Sequence, residues 1–321
     1  MIDVAVQLGA EENATNAELQ KVLEFEMKLA NISMPKTDIS NTTKIYNPAT
    51  LAELPISGGL PNSWTIYFRK LFDFGDEKLD IQESEKVIVM DTNFYKNVGS
   101  VLQSTDKRTL ANYIGWRIAH ETIENLGPKA RDISQKFLKA KSGVDQKLPQ
   151  WKICLGKLSS GYGRVVDSMY ARFIFNVDSK KQVLDMTHYL RLSFAKILDD
   201  VKWMDNETKN EARKKLTHLK EHMAYPDELL DSEKVDGLYS VVDPDKEGYF
   251  EHTLTLNKHI TQYSDLRLRE VVDPEDWRDW VTVAKLGAFY IPFTNSIEFS
   301  AGMLQGIILS SLQYDLIKNK Y

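Results

Sequence analysis

Along the 321-residue chain, apolar positions recur mostly at helical spacing. Leu19, Val22, Leu23 and Leu29 form a stripe broken by Glu26, which predicts a helix ending near Asn31. From Thr105 to Leu126, the residues Leu110, Tyr113, Ile114, Arg117 and Ile118 repeat the pattern, and Gly127-Pro128 supplies a stop. From Gln182 to Asp199, an amphipathic helix is predicted by Met186, Tyr189, Leu190, Phe194, Ile197 and Leu198. Asp205 reads as the N-cap of the next helix, with Glu207 in its first turn and Lys214, Lys215 and Lys220 downstream, as the helix dipole prefers. Ala212, Leu216, Leu219 and Met223 would be its apolar face, and Tyr225-Pro226 would end it. Only two places read as extended. One is Lys86 to Met90; the other is a hairpin of Phe289–Ile291 and Ile297–Phe299, joined across Pro292 and Asn295. The fold class is therefore mainly α with a short β-hairpin near the C-terminus. The stretch from Val235 to Tyr249, rich in Asp, Gly and Pro, is the best candidate for an interdomain connection.

Composition narrows the classes of function. An apolar fraction of 42% suffices for a real core, in one large domain or two ordinary ones. The formal net charge of −5 argues against a nucleic-acid binder, which carries a clustered basic excess. No run of about 18 apolar residues occurs, so no membrane span is expected in the chain. The opening MIDVAVQLGAEEN lacks the basic and apolar regions of a secretory signal. The single Cys154 has no intrachain partner and alone would suit a cytosolic protein. Against it stand four Asn-x-Ser/Thr triplets, at Asn13, Asn31, Asn41 and Asn206, which are candidate glycosylation sites. These features leave both compartments open.

The six histidines offer two zinc-like patterns and complete neither. A helical H-E-x-x-H sets two imidazoles one turn apart on a metal, with the glutamate as general base. His120-Glu121 begins that motif, but the fifth position is Glu124. His218-Leu-Lys-Glu221-His222 fits the inverted H-x-x-E-H, and on a helix it would place both rings on one face. The competing reading is a solvated flank rich in Lys, Glu and His. An inverted site also needs a downstream carboxylate ligand from a neighbouring helix, so the pair is taken as a decoy. No G-x-S-x-G elbow exists, Cys154 has no activating neighbour, and Gly161-Tyr-Gly163 is too short for a phosphate loop.

Longer motifs are more specific. Trp203-Met-Asp205-Asn-Glu-Thr208-Lys209-Asn-Glu-Ala212-Arg-Lys-Lys215, followed by Tyr225-Pro226-Asp227, resembles the W-M-D-x-x-T-K-x-x-A-x-x-K signature of the neprilysin and endothelin-converting enzyme family. Similarity runs back through Met169-Tyr170-Ala-Arg172-Phe173, Leu148-Pro-Gln-Trp151 and Asn112-Tyr113-Ile-Gly-Trp116-Arg117 to Leu29-Ala-Asn31-Ile-Ser33. Forward it passes Tyr249-Phe250-Glu251 and Val272-Asp273-Pro-Glu-Asp-Trp277. It ends in Gly287-Ala288-Phe289-Tyr290 and Phe299-Ser-Ala301-Gly302-Met-Leu304-Gln305. The motifs keep the family's order over nearly the whole chain.

The resemblance implies a zinc endopeptidase for short peptides, built as two largely helical lobes, most members being glycosylated ectodomains anchored at the cell surface. Residues 1–265 would be the N-terminal helical region, 266–305 the beginning of the catalytic region, and 306–321 an unrecognised tail. The cysteine corresponding to Cys154 is disulfide-bonded in relatives. The family's N-A-[FY]-Y motif lies on an edge strand that holds the substrate backbone, so Ala288 is the expected substrate-binding residue, while Gly287 replaces the Asn. The pattern F-P-A-G-x-L-Q-x-P-F-F continues here as FSAGMLQ and then Gly306-Ile-Ile-Leu309. H-E-x-x-H and the E-x-x-x-D helix are absent, so no metal ligand, no catalytic residue and no zinc of its own are expected in this chain, and it would be inactive alone. Two alternatives stand beside the peptidase reading. One is a non-catalytic peptide-binding or decoy homologue that sequesters peptide or pairs with a full-length relative; the other is an inverted-motif zinc peptidase using His218, Glu221 and His222.

Overall fold

A computed structural model describes residues 1–54, 64–75, 77–246, 248–280 and 283–304, and most of the stripes above are helices in it. Two compact units form. The first comprises Met1–Lys147, Gly248–Leu254 and Thr261–Arg269; the second comprises Leu148–Glu247, Thr255–Ile260 and Glu270–Tyr321.

In the first unit the helices include α1 (Ile2–Gln7), α2 (Glu12–Ile32), α3 (Thr92–Gln103), α4 (Lys107–Thr122) and α5 (Pro128–Ser142). Helix α2 packs on α3 and α4 and buries Val22 and Phe25, whose ring meets Tyr113 edge-on at 4.9 Å between centroids. Asp91 and Asp106 cap α3 and α4 by accepting the Phe94 and Thr109 backbone N–H groups. The stripe read for α4 holds at Leu110 and Tyr113 but not beyond. Ile114 and Ile118 are exposed, whereas Thr109, Tyr113 and Trp116 turn inward, because the neighbouring α2 decides which face is covered. Gly127-Pro128 ends one helix and also opens the next: Gly127 is the N-cap of α5 and Pro128 fills its first turn, where the missing N–H costs nothing. The predicted extended run appears as β2 (Lys86–Ile88). It pairs antiparallel with β1 (Pro48–Thr50), a strand the sequence pattern does not announce.

In the second unit α6 (Gln150–Gly161), α7 (Gly163–Phe173), α8 (Val177–Asp200) and α9 (Asn206–Thr217) precede β3 (Lys220–Ala224). The hairpin follows as β4 (Ala288–Ile291) and β5 (Ser296–Ser300). Asp205 caps α9 as expected, accepting the Thr208 N–H at 2.7 Å. That helix does not reach Met223. It stops at Thr217, and Lys220 to Ala224 is a strand lying parallel to β5, in register from Lys220 opposite Ser296 to Ala224 opposite Ser300. The helix is closed by distant side chains: Arg191 donates to the carbonyls of Leu216 and Leu219, and Asn295 donates to that of Lys215 at 2.9 Å. Met223, Ala224 and Tyr225 then bury in one core with Phe175, Val183, Leu229 and Leu304. Tertiary burial outweighs the helical propensity of the Lys/Glu-rich run. Val235, at the start of the proposed connection, belongs to this same core. The strand order is β3-β5-β4, which makes β4 an edge. The tail from Gly306 to Tyr321 lies outside the described residues.

Candidate functional site

Edge strand β4 is held at its start by Ser300. The buried Ser300 hydroxyl accepts the Gly287 N–H at 3.0 Å and donates to the Lys285 carbonyl at 2.5 Å, while the Ser300 N–H donates to the Gly287 carbonyl at 3.1 Å. Gly302 completes the support: its N–H donates to the Val283 carbonyl, and a Cβ there would come within 2.7 Å of the Lys285 carbonyl oxygen. Only glycine permits that approach. From α7, buried Asp167 accepts the Ala284 N–H at 3.1 Å, and Arg164 donates to the carbonyls of Arg278 and Trp280, each at 2.6 Å. Burial pushes the Asp167 carboxyl above its ordinary pKa, against the Ala284 N–H and the Arg164 charge, which pull it down.

The anchored end fixes the direction of every backbone group along β4. Inward-facing and outward-facing residues alternate in an antiparallel ladder. Since Gly287 bonds inward to Ser300, Phe289 and Ile291 bond inward to Glu298 and Ser296, their register partners. Ala288 and Tyr290 therefore turn their N–H and C=O groups to the outer edge, where no strand pairs with them among the described residues. Both are exposed. Such an edge can accept an extended chain through main-chain hydrogen bonds.

The two faces of this sheet differ. On one, Tyr290, Ile297 and Phe299 join Met186, Leu190, Phe194 and Leu216 around an apolar groove of about 800 Å³. On the other, His222 sits directly opposite Glu298. Both residues are buried. The His222 ring nitrogens face Glu298 Oε1 and Glu275 Oε2, each at 3.1 Å, and the Trp280 ring stacks on the imidazole at 4.2 Å. Lys220 Nζ lies 2.6 Å from the other Glu275 oxygen. Desolvation acts to raise the Glu275 carboxyl, but the hydrogen bonds and charges of Lys220 and His222 outweigh it and hold its pKa below the ordinary value.

The histidine pair is not brought together as a helix would bring it. His218 caps the exposed end of α9, with Nδ1 against the Lys214 carbonyl, while His222 lies in β3 between its two carboxylates. Glu221 faces Arg191 at 3.2 Å. Among the described residues no group of three or more His, Cys, Asp or Glu side chains is placed to hold a metal. His120 packs against Trp116 on α4. Asn13, Asn31, Asn41 and Asn206 are all exposed, and Asn41 also caps a short helix through the Thr43 and Lys44 N–H groups. Cys154 is exposed on α6. Sequence reasoning named Ala288 as the expected substrate-binding residue and passed over Ser300, Glu298 and His222 as a structural set. The alternation Ser296-Ile-Glu298-Phe-Ser300, with polar residues on one face of a strand, was the available signal.

A family model described as peptidase family M13 matches residues 1–226. Over 317 residues the chain is 37% identical to Neprilysin-2 of Drosophila melanogaster, covering 95% of this chain and 40% of that protein. It is 30% identical over 322 residues to human membrane metallo-endopeptidase-like 1, covering 98% and 41% respectively. Mouse endothelin-converting enzyme 1 is 28% identical over 302 residues, 92% of this chain and 38% of that one. The chain thus spans about two fifths of the length of these relatives. Among solved structures, the open state of the zinc metalloprotease ZMP1 of Mycobacterium tuberculosis superposes with a TM-score of 0.80 at 19% identity, covering 96% of this chain and 46% of that one. PepO from Lactobacillus rhamnosis gives 0.79, also at 19% identity, covering 96% and 47%. These two similarities concern the fold.

Proposed function

The chain belongs to peptidase family M13, and we propose that it supplies the helical region and the peptide-holding edge of a neprilysin-like zinc metalloendopeptidase. One observation carries this reading: the outward N–H and C=O groups of Ala288 and Tyr290 on an edge strand anchored from behind by Ser300 and Gly302. An extended peptide laid beside β4 would bond to these groups in the manner of an added strand. The N-terminal helical region corresponds to residues 1–265 and the beginning of the catalytic region to 266–305. Zinc and short peptide substrates belong to the proposed full-length enzyme, on the extracellular face of the membrane or secreted. Exposed Asn13, Asn31, Asn41 and Asn206 are then available for glycans and Cys154 for a disulfide mate.

The 321 residues contain no H-E-x-x-H, and on this reading they bind peptide without hydrolysing it alone. The test is metal analysis of the purified chain after dialysis against zinc, with turnover of an internally quenched peptide measured in parallel. We expect less than stoichiometric zinc, no turnover, and no change in metal content for His222→Ala. Stoichiometric zinc lost with His222→Ala, together with chelator-sensitive cleavage, would overturn the reading in favour of an inverted-motif site.

A further inference from the structure

The chain leaves β5 at one end of the apolar groove. Two successive turns bend it off the strand, with the Met303 and Leu304 N–H groups donating to the Ser300 and Ala301 carbonyls at 3.0 and 3.1 Å. Leu304 then buries in the core that holds Val183 and Met223, and Val183 also lines the groove. Helix α8 runs back along the sheet, antiparallel to β3. Lys180 Nζ donates to the Tyr225 carbonyl at 2.9 Å, and Arg191, about three turns further on, donates to the Leu219 carbonyl. The groove therefore starts where the chain turns off β5 and extends along α8 past Leu190 and Phe194, both half exposed.

Residues 305–321 lie outside the described residues, but their sequence carries a pattern. Ile308, Leu309, Leu312 and Leu316 recur at the spacing of one helical face, and Ser310, Tyr314 and Lys318 fall on the opposite face. No proline interrupts the run, since Ile307 stands where the family pattern has one. A helix over residues 307–317 would be about 16 Å long at 1.5 Å per residue, as is the stretch of α8 from Val183 to Phe194. Laid along the groove from the Leu304 end, such a helix brings Asp315, at the border of its apolar face, level with Lys215. Lys215 Nζ lies 5.5 Å from the Tyr290 ring at the rim and pairs with no carboxylate among the described residues. Length, apolar pattern and charge all match the groove.

We propose that residues 307–317 dock in this groove as an amphipathic helix of the same chain, with Leu309, Leu312 and Leu316 against α8 and Asp315 beside Lys215. The inference does not depend on a peptide-holding role for β4. A helix of this length is marginal in water by itself, and the groove supplies the apolar burial that holds it. Docking removes Leu190, Phe194 and Tyr290 from water. Release of the segment leaves an apolar patch of the kind that drives self-association.

The test uses the full chain carrying Cys154→Ser and one of two cysteine pairs, equilibrated in a glutathione redox buffer. One pair is Leu316→Cys with Phe194→Cys; the control is Leu316→Cys with Val241→Cys, since Val241 is exposed and does not line the groove. We expect the groove pair to close within one chain with an effective concentration about tenfold or more above the control. Amide hydrogen exchange at residues 308–316 should be slowed about tenfold or more. Leu312→Asp on the segment and Leu190→Asp in the groove should each remove that protection, and Ser310→Asp should keep it, with circular dichroism showing the rest of the fold unchanged. Lys215→Glu should weaken the protection about twofold, and adding Asp315→Lys should restore it. Exchange at random-coil rates, protection that survives Leu190→Asp, or equal closure of the two pairs would overturn the proposal. Disulfides formed only between chains would assign the groove to a second copy and overturn it too. Absence of rescue by Asp315→Lys would overturn the placement of Asp315.

Discussion

Asn295 holds φ at 50°, in the left-handed region, at the turn between β4 and β5. Asparagine tolerates that conformation better than other side chains that carry a Cβ, and here its amide also donates to the Lys215 carbonyl. Asn295→Ala loses both advantages and should cost about 2 kcal/mol in urea unfolding, the sum of a strained backbone and a lost hydrogen bond. Asn295→Gly should recover roughly half of that, because it relieves only the backbone. Glu275 makes a pH prediction. Its folded-state pKa is depressed below the ordinary 4.5, so its contribution to stability is present above that value and is lost as pH falls through the folded pKa. Glu275→Gln should lower the melting temperature at neutral pH and flatten the acid limb of the melting curve below pH 4.5. Asp167 works in the other direction: its raised pKa favours the fold on the acid side and withdraws that help as pH rises through the raised value.

Elements whose partners are close in sequence were legible; those completed by distant partners were not. Asp205 announces α9, and the alternation around Pro292 and Asn295 announces the hairpin, because each signal and its consequence lie within a few residues. Strand β3 has no such signal. Its partner β5 lies some seventy residues further on, and the Lys-Glu-His-Met-Ala run reads locally as the continuation of a helix. The same error gave the His218 and His222 pair its apparent helical geometry. Arg191 marks the switch from helix to strand, since it donates to the carbonyls of Leu216 in the last turn of α9 and of Leu219 just beyond it, and faces Glu221 at the start of β3. Arg191→Ala should destabilise the second unit by about 2 kcal/mol, as removal of charged donors from partly buried carbonyls does. Arg191→Lys should recover only part of this, because one ammonium cannot reproduce the planar fork. The sequence singles out Ala288 through its motif alone, and the structure places it on edge strand β4. The direction of its backbone groups required the register with β5.

At the scale of the molecule, apolar surface bears on behaviour in solution. Leu190, Phe194 and Ile197 of α8 are half exposed and line the groove of about 800 Å³ beside β4. The chain is about 40% of the length of the relatives it resembles. A patch of this kind promotes self-association, so Phe194→Glu should reduce light scattering at high concentration while leaving the far-ultraviolet spectrum unchanged. What the molecule is proposed to do depends on the edge beside that groove. Residue-resolved amide hydrogen exchange, with and without a saturating extended peptide, tests it most directly. The account predicts that Gly287, Phe289 and Ile291 are already protected in the free chain, and that peptide slows exchange at Ala288 and Tyr290. Fast exchange at Gly287 in the free chain, or peptide-induced protection that bypasses Ala288 and Tyr290, would contradict it.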